Sequence, residues 1–158
     1  MIRITTTSAQ ETQKISAMLA VEIQNSGRRA GAHAVVIALN GDLGAGKTTF
    51  TQGFARSLGI KERITSPTFV LMKIYRIARD GFKHLVHIDC YRVDRPEELL
   101  HLGLDEILED RDAIVLIEWA DRIRRVLPDD VIELHLGHGK KINERTIDVR
   151  YGNQRDKK

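Results

Sequence analysis

The chain has 158 residues, 42% of them hydrophobic and 30% charged, with a formal net charge of +3 at pH 7, which suits one domain with a real core. A single cysteine, Cys90, excludes an internal disulfide framework and a cysteine-based zinc site. No apolar run is long enough to cross a bilayer and residues 1–7 lack the apolar stretch of a secretory signal, so a cytoplasmic protein is expected.

In chain order, residues 2–6 read as a strand. Ser8 and Glu11 form a capping box, and Ile15, Met18, Leu19 and Ile23 make a helical stripe that Gly27 closes. Residues 28–33 form a basic, glycine-containing loop. The unbroken apolar run 34–39 has the pattern of a strand buried on both faces. After a glycine-rich segment, Phe50, Phe54 and Leu58 recur every four residues and Gly59 ends a second helix. Residues 61–68 are a polar connection around Ser66, Pro67 and Thr68. Two β-rich runs, 69–77 and 82–89, flank Arg79-Asp80-Gly81 and predict a hairpin.

Asp94, Pro96 and Glu97 open a short helix ending near Gly103, and residues 105–109 predict one more turn or two. Residues 113–117 are a second fully apolar strand. Residues 121–127 read as helix with Pro128 as the stop, and 131–136 and 145–151 as strands joined by a Gly/Lys-rich turn. The expectation is one α/β domain over 1–158, with a mixed rather than all-parallel sheet. Much of the positive excess sits late, at Lys140, Lys141, Arg145, Arg150, Arg155, Lys157 and Lys158. With only Tyr151 as an aromatic neighbour, a solvated tail is favoured there over direct RNA contact.

The glycine-rich segment carries the most chemistry. Gly41-Asp42-Leu43-Gly44-Ala45-Gly46-Lys47-Thr48 fits G-x-x-x-x-G-K-[ST] at every fixed position, between a buried strand and a helix. Glycines let successive N–H groups turn toward phosphate oxygens, and the helix adds its positive pole. Lys47 is placed to reach the β- and γ-phosphates, and the Thr48 hydroxyl to take one position on Mg²⁺. Thr49 continues the loop into the helix.

Such a site needs an acid at the end of a neighbouring strand. Glu118 follows the run 113–117, and Asp89 ends the run 85–89. Either acid suits the metal, and either suits the attacking water. Ser66, Pro67 and Thr68 lie where a loop can sense the γ-phosphate, or form an ordinary proline turn. His87 shares a strand face with Asp89 and reads as structural. Trp119, next to Glu118, reads either as a core residue or as a fluorescence reporter of nucleotide binding. Neither N-K-x-D nor D-x-x-G occurs in the chain, which favours ATP over GTP.

Four strings together, 41–49, Thr65-Ser66-Pro67-Thr68-Phe69, His87-Ile88-Asp89-Cys90-Tyr91-Arg92 and Ile117-Glu118-Trp119-Ala120, closely resemble the bacterial TsaE family, also called YjeE. The resemblance covers nearly the whole chain. It implies a P-loop NTPase fold, three-layer α/β/α with a mixed, mostly parallel central sheet. It also implies binding of ATP or ADP with Mg²⁺, slow hydrolysis in isolation, and work on a TsaB–TsaD complex that places threonylcarbamoyladenosine in tRNA beside the anticodon. On that pattern ATP resets the complex between turnovers, and tRNA is met indirectly, with direct contact left open. Lys47 and Thr48 carry over as phosphate and Mg²⁺ ligands, Glu118 as the Walker B acid, Asp89 as a second essential acid, and Thr12 as a residue beside the nucleotide. Two alternatives are a P-loop small-molecule kinase and a nucleotide-dependent binding module in which hydrolysis is incidental.

Overall fold

Two strands are buried nearly end to end, β2 (Val35–Asn40), where only Asn40 is half-buried, and β5 (Ala113–Glu118), as their apolar runs require. They pair in parallel, Val35 opposite Ile114 through Leu39 opposite Glu118. The computed structural model describes residues 1–26, 32–67, 69–79 and 81–152. Among these, the sheet has seven strands in the order β1-β7-β6-β2-β5-β4-β3. Its centre, β6 (Ile132–His138), β2, β5 and β4 (His84–Asp89), is parallel. The edges are antiparallel: β7 (Arg145–Tyr151) with β1 (Ile2–Thr6) on one side, and β3 (Met72–Arg76) on the other. The mixed, centrally parallel sheet matches the expectation.

Helices cover both faces. On one, α1 (Ala9–Asn25) and α2 (Lys47–Ser57) pack Leu19, Ile23, Phe50 and Phe54 against Ile37, Leu39, Leu85 and Leu116. On the other, α3 (Glu97–Leu100), α4 (Leu104–Glu109) and the 3₁₀ segment Ala120–Val126 pack Leu99, Leu104 and Ile123 against Val36, Val86, Val115 and Ile117. No helix among the described residues is long and apolar enough to cross a membrane.

Several boundaries differ from the sequence reading, each for a local reason. In α1 the Ser8 hydroxyl accepts from the Glu11 N–H at 3.1 Å, while the Glu11 carboxylate reaches past the cap to the Thr7 N–H at 2.6 Å. The buried face of α1 is Thr12, Ser16, Leu19, Ala20 and Ile23, and Met18 is 64% exposed. Small residues are buried because α2 passes close. A Cβ on Gly53 would lie 2.4 Å from Ser16 Oγ and 2.6 Å from the Gln13 Cα. The expected stop at Gly27 lies outside the described residues.

Strand β3 starts at Met72 rather than 69. The Pro67 carbonyl accepts from the Val70 and Leu71 N–H groups at 3.1 and 2.7 Å, and Leu71 has φ +62°. That turn leaves Phe69 and Val70 exposed instead of in the ladder. The predicted hairpin is present, from Met72 opposite Ile88 to Arg76 opposite His84, with Asp80 outside the described residues. Gly103, expected to end a helix, opens α4 at φ +85°. Residues 120–126 are 3₁₀ with a break at Ile123, not regular α-helix. Of the late cations, Arg155, Lys157 and Lys158 lie outside the described residues. A separate group, Arg56, Lys61 and Arg63, lines a concavity at the far end of α2.

Candidate active site

Strand β2 delivers the chain into the glycine loop against β6. Gly41 sits at φ +133°, and a Cβ there would lie 2.0 Å from the Leu136 carbonyl oxygen, so only glycine passes. Gly46, at φ +101°, caps α2 without a side-chain bond. The first N–H groups of α2 therefore remain available to an anion at its positive end. The turn between is closed by the Ala45 N–H to the Asp42 carbonyl at 3.1 Å.

Lys47 is 5% exposed. Its ammonium donates to the carbonyls of Gly41 at 2.6 Å and Asp42 at 2.8 Å, and lies 3.9 Å from the centre of the Trp119 ring. Burial pushes the ammonium below the usual lysine value, with Glu118, Asp89, Asp42 and Asp121 opposing the shift. Lys47 thus occupies its own loop through neutral acceptors, which anionic phosphate oxygens can replace.

Glu118 closes β5 and is 2% exposed. Its Oε2 accepts from the Thr48 hydroxyl at 3.1 Å. Its Oε1 accepts from the Thr51 hydroxyl at 3.2 Å and from His87 Nε2 at 2.9 Å. Asp89 stands opposite Glu118 across the β4–β5 pair. It accepts from the Ser66 hydroxyl through Oδ2 and from the Tyr91 N–H at 2.9 Å through Oδ1. Trp119 adopts φ +58°, and its ring meets Tyr91 at a centroid distance of 5.1 Å.

Together these groups surround one cleft of about 510 Å³. Of the residues singled out in the sequence, Gly44, Gly46, Lys47, Thr48, Thr49, Ser66, Asp89 and Glu118 line it, as does Leu43, whose side chain is exposed. Gly41 and Asp42 turn their carbonyls to Lys47, and Ala45 is buried in the core. Pro67 supplies the turn before β3, and Thr68 lies outside the described residues. Thr12 does not line this cleft. It is buried in α1 with its hydroxyl oxygen 2.8 Å from that of Thr6. The oxygen donors of Thr48 and Glu118 suit a hard cation such as Mg²⁺, which takes few protein ligands and fills its shell with water and phosphate.

Sequence reasoning gave no functional part to four contributors, one of which, His87, it read as structural. Thr51 was visible as the residue one turn after Lys47, and His87 as the face-mate of Asp89. Arg145, whose Nε donates to the Gly44 carbonyl at 3.1 Å from β7, had no local signal. Nor had Asn143, whose amide donates to the Thr7 carbonyl at 2.9 Å and ties the β6–β7 turn to the start of α1.

A central parallel sheet with a glycine loop between a buried strand and its helix defines the class as a P-loop NTPase. The family described as threonylcarbamoyl adenosine biosynthesis protein TsaE matches residues 6–147, and the chain belongs to it. The chain is 46% identical over 99 residues to a Bacillus subtilis (strain 168) protein named tRNA threonylcarbamoyladenosine biosynthesis protein TsaE, covering 63% of this chain and 59% of that one. It is 39% identical over 105 residues to the protein of the same name in Haemophilus influenzae, covering 66% and 64%. To the one in Rickettsia conorii it is 35% identical over 133 residues, covering 84% and 69%. The first two matches thus span less than two thirds of those relatives' length. The crystal structure of Bacillus subtilis YdiB superposes with a TM-score of 0.72 at 33% identity, covering 98% of this chain and 87% of that one.

Proposed function

We propose that residues 1–158 form a single Mg²⁺-dependent ATPase domain that serves tRNA threonylcarbamoyladenosine synthesis as an accessory of a TsaB–TsaD complex. The observation that carries the reading is the cleft itself. A buried lysine rests on its own glycine loop, beside a threonine bonded to a strand-end glutamate. The family membership supplies the pathway.

In this reading the N–H groups opening α2 bind the phosphates, and Lys47 leaves the Gly41 and Asp42 carbonyls to meet the β- and γ-oxygens. Thr48 and Glu118 hold Mg²⁺, which when bound neutralises charge developing on the phosphates. Asp89, held by Ser66 and the Tyr91 N–H, orients the attacking water. The roles of the two acids exchange if Asp89 proves to be the metal ligand. The protein alone is a slow enzyme. Arg92 reaches the cleft wall but stacks on Phe69, 4.9 Å from its ring, rather than over the loop. Docking on TsaB–TsaD positions Ser66 and Pro67 at the phosphates, and tRNA is served indirectly.

The test is reconstitution of the modification with purified TsaB, TsaD and unmodified tRNA, followed over many turnovers. The reading expects product beyond one equivalent of TsaD only when this protein and ATP are both present. Equal product without the protein would overturn it.

A further inference from the structure

His87 is wholly buried in β4, and its Nδ1 has no hydrogen-bond partner among the described residues. Its Nε2 lies 2.9 Å from Glu118 Oε1. These two facts place the proton. On Nε2 it is bonded to a carboxylate, whereas on Nδ1 it would be a buried, unsatisfied donor. His87 is therefore a donor aimed at Glu118. The Thr51 hydroxyl lies 3.2 Å from the same oxygen and shares its one proton between it and the Lys47 carbonyl oxygen at 3.0 Å. Oε2 accepts from Thr48 alone among the described residues.

The carboxylate is thus held asymmetrically. Oε1 is gripped from behind by β4 and α2, and Oε2 faces Thr48. We propose that His87 and Thr51 are positioning residues that anchor Glu118 through Oε1 and so present Oε2 to the Mg²⁺ beside Thr48, an inference that rests on Glu118 being the metal-site acid. Groups that orient a metal ligand from behind typically change metal affinity by about 10–100-fold when lost.

The experiment titrates Mg²⁺ into protein saturated with a non-hydrolysable ATP analogue and follows Trp119, the one tryptophan of the chain. Nucleotide affinity in EDTA is measured alongside. His87→Met fills the space without a donor, and Thr51→Val deletes the second donor while leaving β4 intact. Both should raise the half-saturating Mg²⁺ by about tenfold, with affinity in EDTA unchanged. His87→Gln, which keeps a donor near the Nε2 position, should restore most of the lost Mg²⁺ response. Unchanged Mg²⁺ response in Thr51→Val and in folded His87→Met would overturn the proposal. So would a Gln variant as impaired as the Met variant, with nucleotide affinity in EDTA lost as well. Glu118→Gln separates the premise. If it leaves the Mg²⁺ response intact, the assignment of the metal acid fails. If it abolishes the response while the anchor variants do not, the anchoring fails alone.

Discussion

Replacing Lys47 with Met should remove triphosphate affinity while leaving the fold standing. In the folded protein the ammonium makes two bonds to neutral carbonyls, at 2.6 and 2.8 Å, and a contact with the Trp119 ring. Burial lowers its pKa, so folding carries a net cost for the charged form that offsets those contacts. Met fills the channel without the charge, and we expect stability to change by about 1 kcal/mol or less, since the loss of two bonds and the relief of desolvation oppose each other. On binding, Lys47 exchanges two neutral acceptors for anionic phosphate oxygens. A net gain equal to one hydrogen bond to a charged group, about 1.5–3 kcal/mol, is worth roughly 10–150-fold in affinity. The loss should be larger for a triphosphate than for ADP, because Lys47 serves the γ-phosphate too. Calorimetric titration of ADP and of a non-hydrolysable ATP analogue, with thermal melts as the fold control, measures this. Trp119 emission adds a check, since the indole should lose its cation neighbour on triphosphate binding in the parent protein only. Triphosphate affinity within threefold of the parent in a folded Lys47→Met protein would refute the reasoning.

Thr48→Val and Glu118→Gln should each lower Mg²⁺-dependent phosphate release far more than they lower ADP affinity in EDTA, and equal losses in the two assays would contradict the metal assignment. Gly41→Ala places a Cβ 2.0 Å from the Leu136 carbonyl oxygen at φ +133°, a strain and clash together of about 3 kcal/mol or more. Urea unfolding within 1 kcal/mol of the parent would show that β6 yields easily. Cys90 is buried, which pushes its thiol from 9.0 up to about 12. Between those values the unfolded chain loses a proton that the folded one keeps, so stability falls with rising pH there, and Cys90→Ala should remove that part of the fall. At pH 8 the native protein should react with a thiol reagent no faster than it unfolds, and rapid labelling would mean that Cys90 is exposed by a local opening.

The parts of the fold that depend on neighbours in sequence were legible. Residues 34–48 carry a strand, a loop and a helix start in one continuous pattern, and 113–118 carry a buried strand ending in an acid. From those patterns and the β-rich run 85–89, the sequence singles out Lys47, Thr48, Asp89 and Glu118, and the fold brings them to one cleft. What depends on neighbours in space was not legible. Ser16 and Ala20 are buried, and Met18 exposed, because Gly53 of α2 comes within reach of α1, a fact no pattern within α1 contains. The delayed start of β3 follows from one residue, Leu71, in a left-handed conformation that sequence preference does not suggest for leucine. His87 shows its partner only once the register sets β4 beside β5. Thr12, named through resemblance rather than through its own surroundings, lies in the α1 interior beside Thr6 and not in the cleft.

A partner-dependent ATPase requires a link between nucleotide state and docking. The mass of mixtures of this protein with TsaB–TsaD should be measured by light scattering in three states: with a non-hydrolysable ATP analogue and Mg²⁺, with ADP, and without nucleotide. By linkage, a partner that orders the phosphate side of the cleft must bind more tightly when the triphosphate is there. A stable ternary complex is expected with the analogue, and weaker association with ADP or without nucleotide. Equal association in all three states would contradict it, because hydrolysis could then neither drive binding nor release.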